Sequence, residues 1–397
     1  MKLLRFSLLL ILLPLVAGCE GFFGRKTSTD FLAEPVFDTR TVAYVPIQPV
    51  WDDLDRPVDI IAGWDELIYV ADGGREEIIA FDQAGGELGR FPIPGLQAIA
   101  QDRRLDILAA GVRDTIINGR EFVLPAIYRL SLDKTGDYGL NNATITRIIT
   151  HPFYFKSGTP TGSDSLASFT GIAPLANNWY YLSRNGLSNS ANQFGGPDDA
   201  VLLFNDQDEY ISPVAVSTNL GLFRDYFIKP SSIATFAQPP QSPAINDRGD
   251  FLFTSVGENN LLKVQLIRFQ ESDFGSSYLV ENLPVGDTSK AEGFLYEPNR
   301  FTRPMDVSIA GDATNYFFVV DAEADSLYQF NRLGYEGANP PPGANTTKTL
   351  KVSFGGTGNG LTQFREPMGV AYLDQIVYVA DAGNGRILRF RLTTDFE

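Results

Sequence analysis

The sequence predicts an all-β fold built from six units of four short strands, the pattern of β-propeller blades. Residues 364–390 read as strand, turn, strand, turn, strand. Segments that begin at Arg56 and Arg303 repeat this pattern, and repeats of a few dozen residues indicate stacked or radial architecture. In each segment an aspartate is followed at fixed offsets by an aliphatic residue and then a phenylalanine: Asp72, Ile78 and Phe81; Asp321, Leu327 and Phe330; Asp381, Ile387 and Phe390.

Weaker copies of the unit cover about residues 93–132, 168–206 and 229–269. Every unit except the last is followed by one more candidate strand, at 88–93, 143–150, 211–217, 277–283 and 350–354. After Phe390 the chain is too short for another paired strand of typical length. A third strand left bare would expose unpaired N–H and C=O groups. The alternating segment 41–47 is therefore predicted to complete the last blade.

The last unit carries a more specific pattern. The strand Phe364 to Ala371, FREPMGVA, is followed by IVYVADAGNGRILRF, in which Asn384, Arg386 and Ile387 form a turn. This resembles the NHL repeat, with Gly385 where the name-giving histidine would stand. The likeness is close in this unit, partial in the first and fifth, and in topology alone in the others. It implies a six-bladed β-propeller of four-stranded antiparallel blades over residues 38–397, the last blade closed by an N-terminal strand.

The first residues predict an export signal. Lys2 and Arg5 precede an apolar run at 6–16, which is shorter than the about 20 residues that span a bilayer. Residues 15–19, LVAGC, resemble the lipobox of bacterial lipoproteins. The resemblance implies a signal peptide at 1–18 and a lipidated Cys19, the single cysteine of the chain. A buried structural thiol is the alternative for Cys19.

Residues 19–37 mix Gly, Ser, Thr, Lys and Pro without period and predict a lipidated tether. Two or more acyl chains anchor a protein stably, so the N-terminal lipid predicts a membrane partner. Glu20 follows the cysteine where enteric lipoproteins kept in the inner membrane have Asp. By that resemblance the protein is expected in the bacterial cell envelope, at the outer membrane.

The formal net charge of −16 argues against extended contact with nucleic acid, which requires a basic face. Four cations nevertheless lie at equivalent places. Arg56, Lys229 and Arg303 each precede the proline that opens an innermost strand, and Arg365 lies one residue further back. These positions converge on the axis of a propeller, so the four predict a ligand-binding site for a carboxylate, phosphate or acidic glycan. Alternatively, each pairs with an acid such as Asp55, Asp59, Asp306 or Glu366.

The other candidate functional residues are interpreted as structural. Asp72, Asp321 and Asp381 sit at strand ends, where a carboxylate accepts backbone N–H bonds. His151, the single histidine, reads as part of a blade-edge loop rather than a catalytic base. The acidic clusters 51–55 and 196–199 read as solvated turns, with calcium as the alternative. The sequence thus predicts no catalytic residue, no metal site and no cofactor.

Long insertions at 112–124, 153–166, 186–197, 237–246 and 334–347 are where binding on a rigid scaffold concentrates. They favour a lipid-anchored binding or assembly module for a protein, peptide or glycan partner. The alternative is a calcium-dependent lactonase- or lyase-like enzyme, because propellers of similar appearance include gluconolactonases and streptogramin lyase. A chain with one histidine is poorly equipped for the histidine-dependent reactions of that group, so an enzyme is the less favoured interpretation.

Overall fold

The computed structural model describes residues 42–134, 136–151, 160–190, 196–242, 249–273 and 275–395. The predicted signal peptide, the tether and Cys19 lie outside the described residues. The chain divides into two compact units. In the first, Met1–Asp38 with Pro341–Asn345, the described residues form a turn in which the Ala344 amide donates to the Pro341 carbonyl oxygen (3.1 Å). The second, Thr39–Pro340 with Thr346–Glu397, contains the strands given below.

Strand β1 (Tyr44–Trp51) precedes six blades, each of which starts with its inner strand. Blade 1 contains β2 (Pro57–Ala62), β3 (Ile68–Asp72), β4 (Glu77–Phe81) and β5 (Glu87–Pro92). Blade 2 contains β6 (Ala98–Gln101), β7 (Ile107–Ile117), β8 (Arg120–Ser131) and β11 (Thr144–Thr150), with β9 (Asp133–Lys134) and β10 (Asp137–Tyr138) as a separate hairpin. Blade 3 contains β12 (Ser168–Pro174), β13 (Tyr180–Asn185), β14 (Ala200–Phe204) and β15 (Tyr210–Pro213).

The second half of the ring follows the same order. Strands β16 (Val216–Thr218) and β17 (Gly221–Phe223) join blade 4, whose main strands are β18 (Pro230–Thr235), β19 (Phe251–Ser255), β20 (Val264–Ser272) and β21 (Gly275–Val280). Blade 5 contains β22 (Pro304–Ile309), β23 (Phe317–Asp321), β24 (Ser326–Phe330) and β25 (Phe354–Gly355). Blade 6 contains β26 (Pro367–Leu373), β27 (Ile376–Asp381) and β28 (Arg386–Leu392). The predicted six-bladed β-propeller is confirmed.

An N-terminal strand closes the ring as predicted, but it spans Tyr44–Trp51 rather than 41–47. Strand β1 is the outermost strand of blade 6 and runs antiparallel to β28, from Tyr44 opposite Leu392 to Trp51 opposite Ile387. The pairing supplies partners for the edge of β28, which would otherwise be open to association with another chain. The two ends of the propeller are thereby joined in one sheet.

Blade 4 departs from the predicted four strands. The segment predicted as one strand at 211–217 divides: Tyr210–Pro213 pairs with β14, and the Val214 amide also donates to the Val201 carbonyl oxygen of that strand (2.8 Å). Strand β16 pairs instead in parallel with β21, with Val216 opposite Tyr278, and β17 extends that sheet to six strands. The predicted strand at 350–354 is likewise shorter than expected, since only Phe354–Gly355 pairs with β24.

The hydrophobic core lies between the blades. The described residues form six buried apolar clusters, and each cluster fills the space between two neighbouring blades. Strands β3, β19 and β23 are buried at every residue because both of their faces pack on a neighbouring blade. This explains why their sequences are continuous apolar runs rather than the alternation typical of half-buried strands.

Five of the six inner strands carry a β-bulge near their first residues, where one extra residue is inserted into the pairing with the second strand. The extra residues that these bulges insert are Val58, Thr170, Ser231, Met305 and Met368. Two of them link blades directly: the Thr170 hydroxyl donates to the Pro230 carbonyl oxygen (2.9 Å), and the Ser231 hydroxyl donates to that of Pro304 (2.7 Å). The hydroxyls of Thr170 and Ser231 therefore tie blades 3, 4 and 5 together at the axial channel, which Val58, Met305 and Met368 line with apolar side chains.

The insertion at 112–124 forms no irregular loop. Strands β7 and β8 continue through it as a hairpin whose two-residue turn, Asn118–Gly119, has positive φ angles of 51° and 76°. Asn-Gly is the preferred pair for such turns because both positions require the left-handed region. The insertion is therefore an arm that extends beyond the blade.

Helical structure in the described part of the chain is short, and none of it is a helix both long and apolar enough to cross a bilayer. The described 3-10 turns are Leu140–Asn142, Asp164–Leu166, Ala382–Asn384 and Thr393–Asp395.

Replacing Trp51 with alanine is expected to destabilise the closure strongly. Trp51 is buried, stacks on Phe81 with ring centroids 5.0 Å apart, and lies under the Arg389 guanidinium at 4.9 Å. Loss of such a side chain costs about 3–5 kcal/mol of unfolding free energy, measured by urea denaturation. The matched control is Trp64→Ala, a half-buried tryptophan that contacts Arg103, expected to cost about 1 kcal/mol. Equal losses in the two variants would contradict the role of Trp51 in closure.

Candidate functional site

The six inner strands run in one direction, so the ends at which they begin surround a single mouth of the axial channel. Loops from a fourth strand to the next inner strand, and from a second strand to a third, reach this face. The four predicted cations precede inner strands β2, β18, β22 and β26 and thus belong to this face. We call Arg56, Lys229, Arg303, Arg365 and Glu366 the cationic mouth.

Buried aspartates at the ends of second strands hold the backbone of three of these cations. Each carboxylate lies at the end of β3, β23 or β27 and accepts the amide N–H of the cation that precedes the inner strand of its own blade. The pairs are Asp72 with Arg56 (2.9 Å), Asp321 with Arg303 (3.0 Å) and Asp381 with Arg365 (2.7 Å). Each carboxylate accepts further N–H bonds. The predicted structural role of the three aspartates is confirmed.

Lys229 is held in a different way. Its amide donates to the carboxylate of Asp199 (2.9 Å), which belongs to the preceding blade, and its backbone has a positive φ of 42°. Such a φ is unusual for a residue other than glycine. Its own blade has Ser255 at the strand end where three other blades have aspartate, and the Ser255 hydroxyl donates to the Ile228 carbonyl oxygen (2.5 Å). Blade 4 thus reaches the same cation position with different side chains.

The side chains of Arg56 and Arg303 converge on one carboxylate. Arg303 Nη2 donates to Glu366 Oε1 at 3.0 Å, and Arg56 Nη2 lies 3.7 Å from the same oxygen. The side chains of the three residues are 52%, 36% and 36% exposed, in the order Arg56, Arg303, Glu366. Residues from blades 1, 5 and 6 therefore meet at this mouth, as the equivalent sequence positions predicted.

Lys229 and Arg365 have exposed side chains and form no ion pair with the acids that the structure describes. The structure thus brings Arg56 and Arg303 together at the carboxylate of Glu366, whereas the Arg365 side chain lies against Gly383 and Asp55 is exposed next to Arg56. Among the other acids named from the sequence, Asp55 is exposed with its carboxylate beside Gly74, and Asp59 and Asp306 bond to backbone amides. Of the ion pairs proposed from sequence, only those to Glu366 form among the described residues.

Behind the mouth, a cavity of about 140 Å³ lies along the axis and is lined by the inner strands. Asp59 from blade 1 and Asp306 from blade 5 both line it, with Ser232 from blade 4. The sequence pattern indicated the two aspartates only as ion-pair partners. The signal that could have found them is their common offset, since each lies two residues after the proline of an Arg-Pro pair.

Asp59 and Asp306 connect neighbouring blades. Asp306 accepts the Ser232 hydroxyl of blade 4 (2.5 Å) and the Val370 amide of blade 6 (2.7 Å). Asp59 accepts the Ile99 amide of blade 2 (2.8 Å). Burial raises the pKa of Asp306 to about 6. Burial and the charge of Asp306 raise the pKa of Asp59 well above its usual range.

The single histidine is a packed side chain. His151 follows the outer strand of blade 2 as expected, but it is buried, with its ring edge-on to Phe169 at 5.9 Å. Its Nε2 lies 3.1 Å from Arg184 Nη1 and accepts that bond, because a guanidinium can only donate. Burial and the arginine lower the pKa of His151 to about 3. The ring is therefore neutral at physiological pH and is not poised as a general base.

The two acidic clusters differ from each other. At 51–55, Asp53 is exposed and pairs with Arg75 (3.0 Å), as a solvated turn would. At 196–199, the expectation of a solvated turn is wrong: Asp198 and Asp199 are buried, and they accept amide bonds from Ser188 and Gly186 (2.9 and 3.0 Å). The described residues contain no group of three histidine, cysteine, aspartate or glutamate side chains placed to hold a metal ion.

Comparisons with solved structures concern the fold. A structural genomics protein of unknown function from Bacteroides thetaiotaomicron is 13% identical, with a TM-score of 0.50 over 88% of this chain and 76% of that chain. An auxiliary nutrient binding protein from the same organism is 12% identical, with a TM-score of 0.49 over 85% and 69%. A streptogramin B lyase is 12% identical, with a TM-score of 0.45 over 88% and 98%. No family model and no curated protein matches the chain.

Asp306→Asn is expected to become more stable relative to the wild type as the pH rises. The folded pKa of about 6 lies above the unfolded value of about 3.9. The neutral carboxyl is thus favoured in the folded state, and the contribution of this group to the free energy of unfolding falls as the pH rises from about 4 to about 6.

Chemical denaturation at pH 4.5 and 8 measures the effect. The stability difference should shift toward the variant by about 1–3 kcal/mol at the higher pH. Val307→Ala, which removes a buried side chain at the next position and cannot titrate, serves as the control. If Asp306→Asn shows the same pH-independent difference as this control, the pKa assigned to Asp306 is wrong.

Proposed function

We propose that this protein is a lipid-anchored binding module of the bacterial cell envelope that takes its partner at the cationic mouth. The observation that carries the proposal is the meeting of Arg56 and Arg303 on Glu366, with Lys229 and Arg365 exposed at equivalent positions of the same face, on a protein of net charge −16. Exposed cations around a mouth of the channel attract an anionic group to this face. Loops from the fourth and second strands surround this face, which is where binding residues on rigid scaffolds concentrate.

The N-terminal sequence supports the anchor. A basic start, a short apolar run and the LVAGC segment resemble a lipoprotein leader with Cys19 as the lipidated residue. Acyl chains on Cys19 hold the propeller at a membrane without a spanning helix. Glu20, by the resemblance to lipoproteins that leave the inner membrane, supports the outer membrane as its place.

The chemistry of the described residues favours binding over catalysis. At the mouth, Arg303 and Arg56 share Glu366, an arrangement that presents charge and hydrogen-bond donors. His151 is buried and bonded to Arg184. The channel carboxylates Asp59 and Asp306 accept amide bonds that join blades. The groups with acid–base chemistry thus hold the fold together, whereas the exposed cations face outward.

Cys19→Ser is expected to abolish anchoring. The serine hydroxyl cannot form the thioether that carries the lipid, so metabolic labelling with radioactive palmitate should give no signal and the mature protein should leave the membrane fraction. A variant with serine at a neighbouring position, Gly21→Ser, should remain labelled. Two outcomes would overturn the lipid anchor. One is palmitate incorporation into Cys19→Ser, and the other is wild-type protein that stays in the membrane fraction without incorporating palmitate.

Arg56→Ala together with Arg303→Ala is expected to reduce partner binding at least tenfold, because two charge-assisted contacts are lost. The measurement is affinity capture by the full chain from detergent-solubilised membranes, followed by titration of the captured partner. Arg268→Ala is the matched control: this arginine is as exposed as Arg56 (52%) and pairs with Glu281 at 3.0 Å in the outer part of blade 4. It should bind as the wild type does.

Two results of the capture experiment would contradict the binding module. One is a partner that binds the mouth variant and the wild type equally. The other is recovery of the protein alone together with turnover of a lactone, which would favour the enzyme.

A further inference from the structure

Exposed aliphatic side chains lie beside the cationic mouth. Ile228, 45% exposed, precedes Lys229, and Leu261, 58% exposed, lies in the loop between β19 and β20. The Val256 amide in that loop donates to the Lys229 carbonyl oxygen (3.0 Å), and Ile228 packs against Gly257. The Leu261 carbonyl oxygen accepts the amide of Asn299, which lies in the segment leading to Arg303 (2.9 Å). We call Ile228 and Leu261 the aliphatic patch; it adjoins the mouth on the side of blades 4 and 5.

The same face carries further exposed aliphatic side chains. They are Ile116 on the β7–β8 arm (71%), Leu187 (72%), Leu220 (89%) and Leu222 (66%), all on loops or hairpins of blades 2 to 4. Contiguous exposed apolar groups mark interaction sites, and Ile228 and Leu261 are the two that lie closest along the chain to the cations of blades 4 and 5. Leu361, 41% exposed, lies in the loop before Arg365, so exposed aliphatic groups occur at blades 2 to 4 and also beside the cation of blade 6.

Among the described residues, the exposed apolar side chains favour a polypeptide ligand. Among the large apolar side chains exposed in the described residues, Tyr138 is the only aromatic, and it lies in the β9–β10 hairpin at the opposite end of blade 2. Sugars are typically bound against flat aromatic rings, whose amphipathic faces suit them. Leucine and isoleucine instead match aliphatic side chains of another polypeptide.

We infer that the cationic mouth and the aliphatic patch together bind an acidic polypeptide segment that carries aliphatic side chains. This inference rests on the proposed function and names its ligand. Carboxylates of the segment pair with Lys229, Arg303, Arg56 and Arg365, and an adjacent leucine, isoleucine or valine packs on Ile228 and Leu261. Charge complementarity selects the acidic groups, and the neighbouring apolar surface selects the side chains between them.

The test is selection of a phage-displayed random peptide library on the immobilised full chain. Peptides that combine aspartate or glutamate with leucine, isoleucine or valine should be enriched. Enrichment of basic or aromatic peptides, or of none, would overturn the inference.

Selected peptides are then titrated by fluorescence anisotropy against variants. Ile228→Ser with Leu261→Ser should weaken binding about tenfold or more, through loss of apolar contact. Leu333→Ser, a control of equal exposure (57%) in the turn after β24 at the other end of blade 5, should have no effect. In a peptide whose aliphatic residues are replaced by serine, the double variant should make no difference. A double variant that binds every selected peptide as the wild type does would overturn the role of the patch.

Competing occupants give different results. Polygalacturonate that binds as tightly as the selected peptides, unaffected by Ile228→Ser with Leu261→Ser, would replace the polypeptide by a glycan. Self-association in sedimentation that this double variant abolishes would replace it by a second copy of the chain. A captured partner that depends on Arg56 and Arg303 but not on the patch would leave the binding module in place and overturn this inference alone.

Discussion

The antiparallel pairing of β1 with β28 is the constraint on which the rest of the structure depends. A propeller blade buries both faces of its middle strands only when it has a neighbour on each side, and the first and last blades become neighbours only in a closed ring. Pairing Tyr44 with Leu392 and Trp51 with Ile387 fixes that closure in register. The apolar cluster between blades 6 and 1, with Trp51 stacked on Phe81, then forms as the other five interfaces do. Sealing the edge of β28 also removes a site of aggregation.

Within the closed ring, buried aspartates fix the backbone positions of three cations of the mouth. An ionised aspartate in the interior is costly unless several donors satisfy it. The strand-end aspartates are satisfied in part by the backbone amides of residues that precede the inner strands, Arg56, Arg303 and Arg365. The same bonds that solvate the carboxylates therefore fix where each cation leaves the blade. Because these side chains are long, their charges reach the solvent around the channel while their backbones remain part of the core.

Polar groups inside the axial channel join neighbouring blades, whereas polar groups at its mouth face solvent. Inside, hydroxyls and carboxylates such as Ser231 and Asp306 join one blade to the next. Outside, Arg303 and Arg56 meet on Glu366, and Lys229 and Arg365 extend into solvent. The surrounding loops add aliphatic groups such as Ile228 and Leu261. A rigid ring thus presents an amphipathic face, and the loops can vary without disturbing the contacts that hold the ring together.

The sequence by itself determined the number of blades, the closing strand and the structural role of Asp72, Asp321 and Asp381, because these depend on repeated offsets and strand periodicity that are local to each unit. Tertiary structure alone decided which acid meets which cation: Arg56 and Arg303 share Glu366, which lies in a different blade from either. It also decided that Asp59 and Asp306 face one cavity, that Asp198 and Asp199 are buried, and that Val216–Thr218 pairs with the next blade. Contacts between blades depend on how six separate units pack around an axis, and no spacing along the chain encodes that distance.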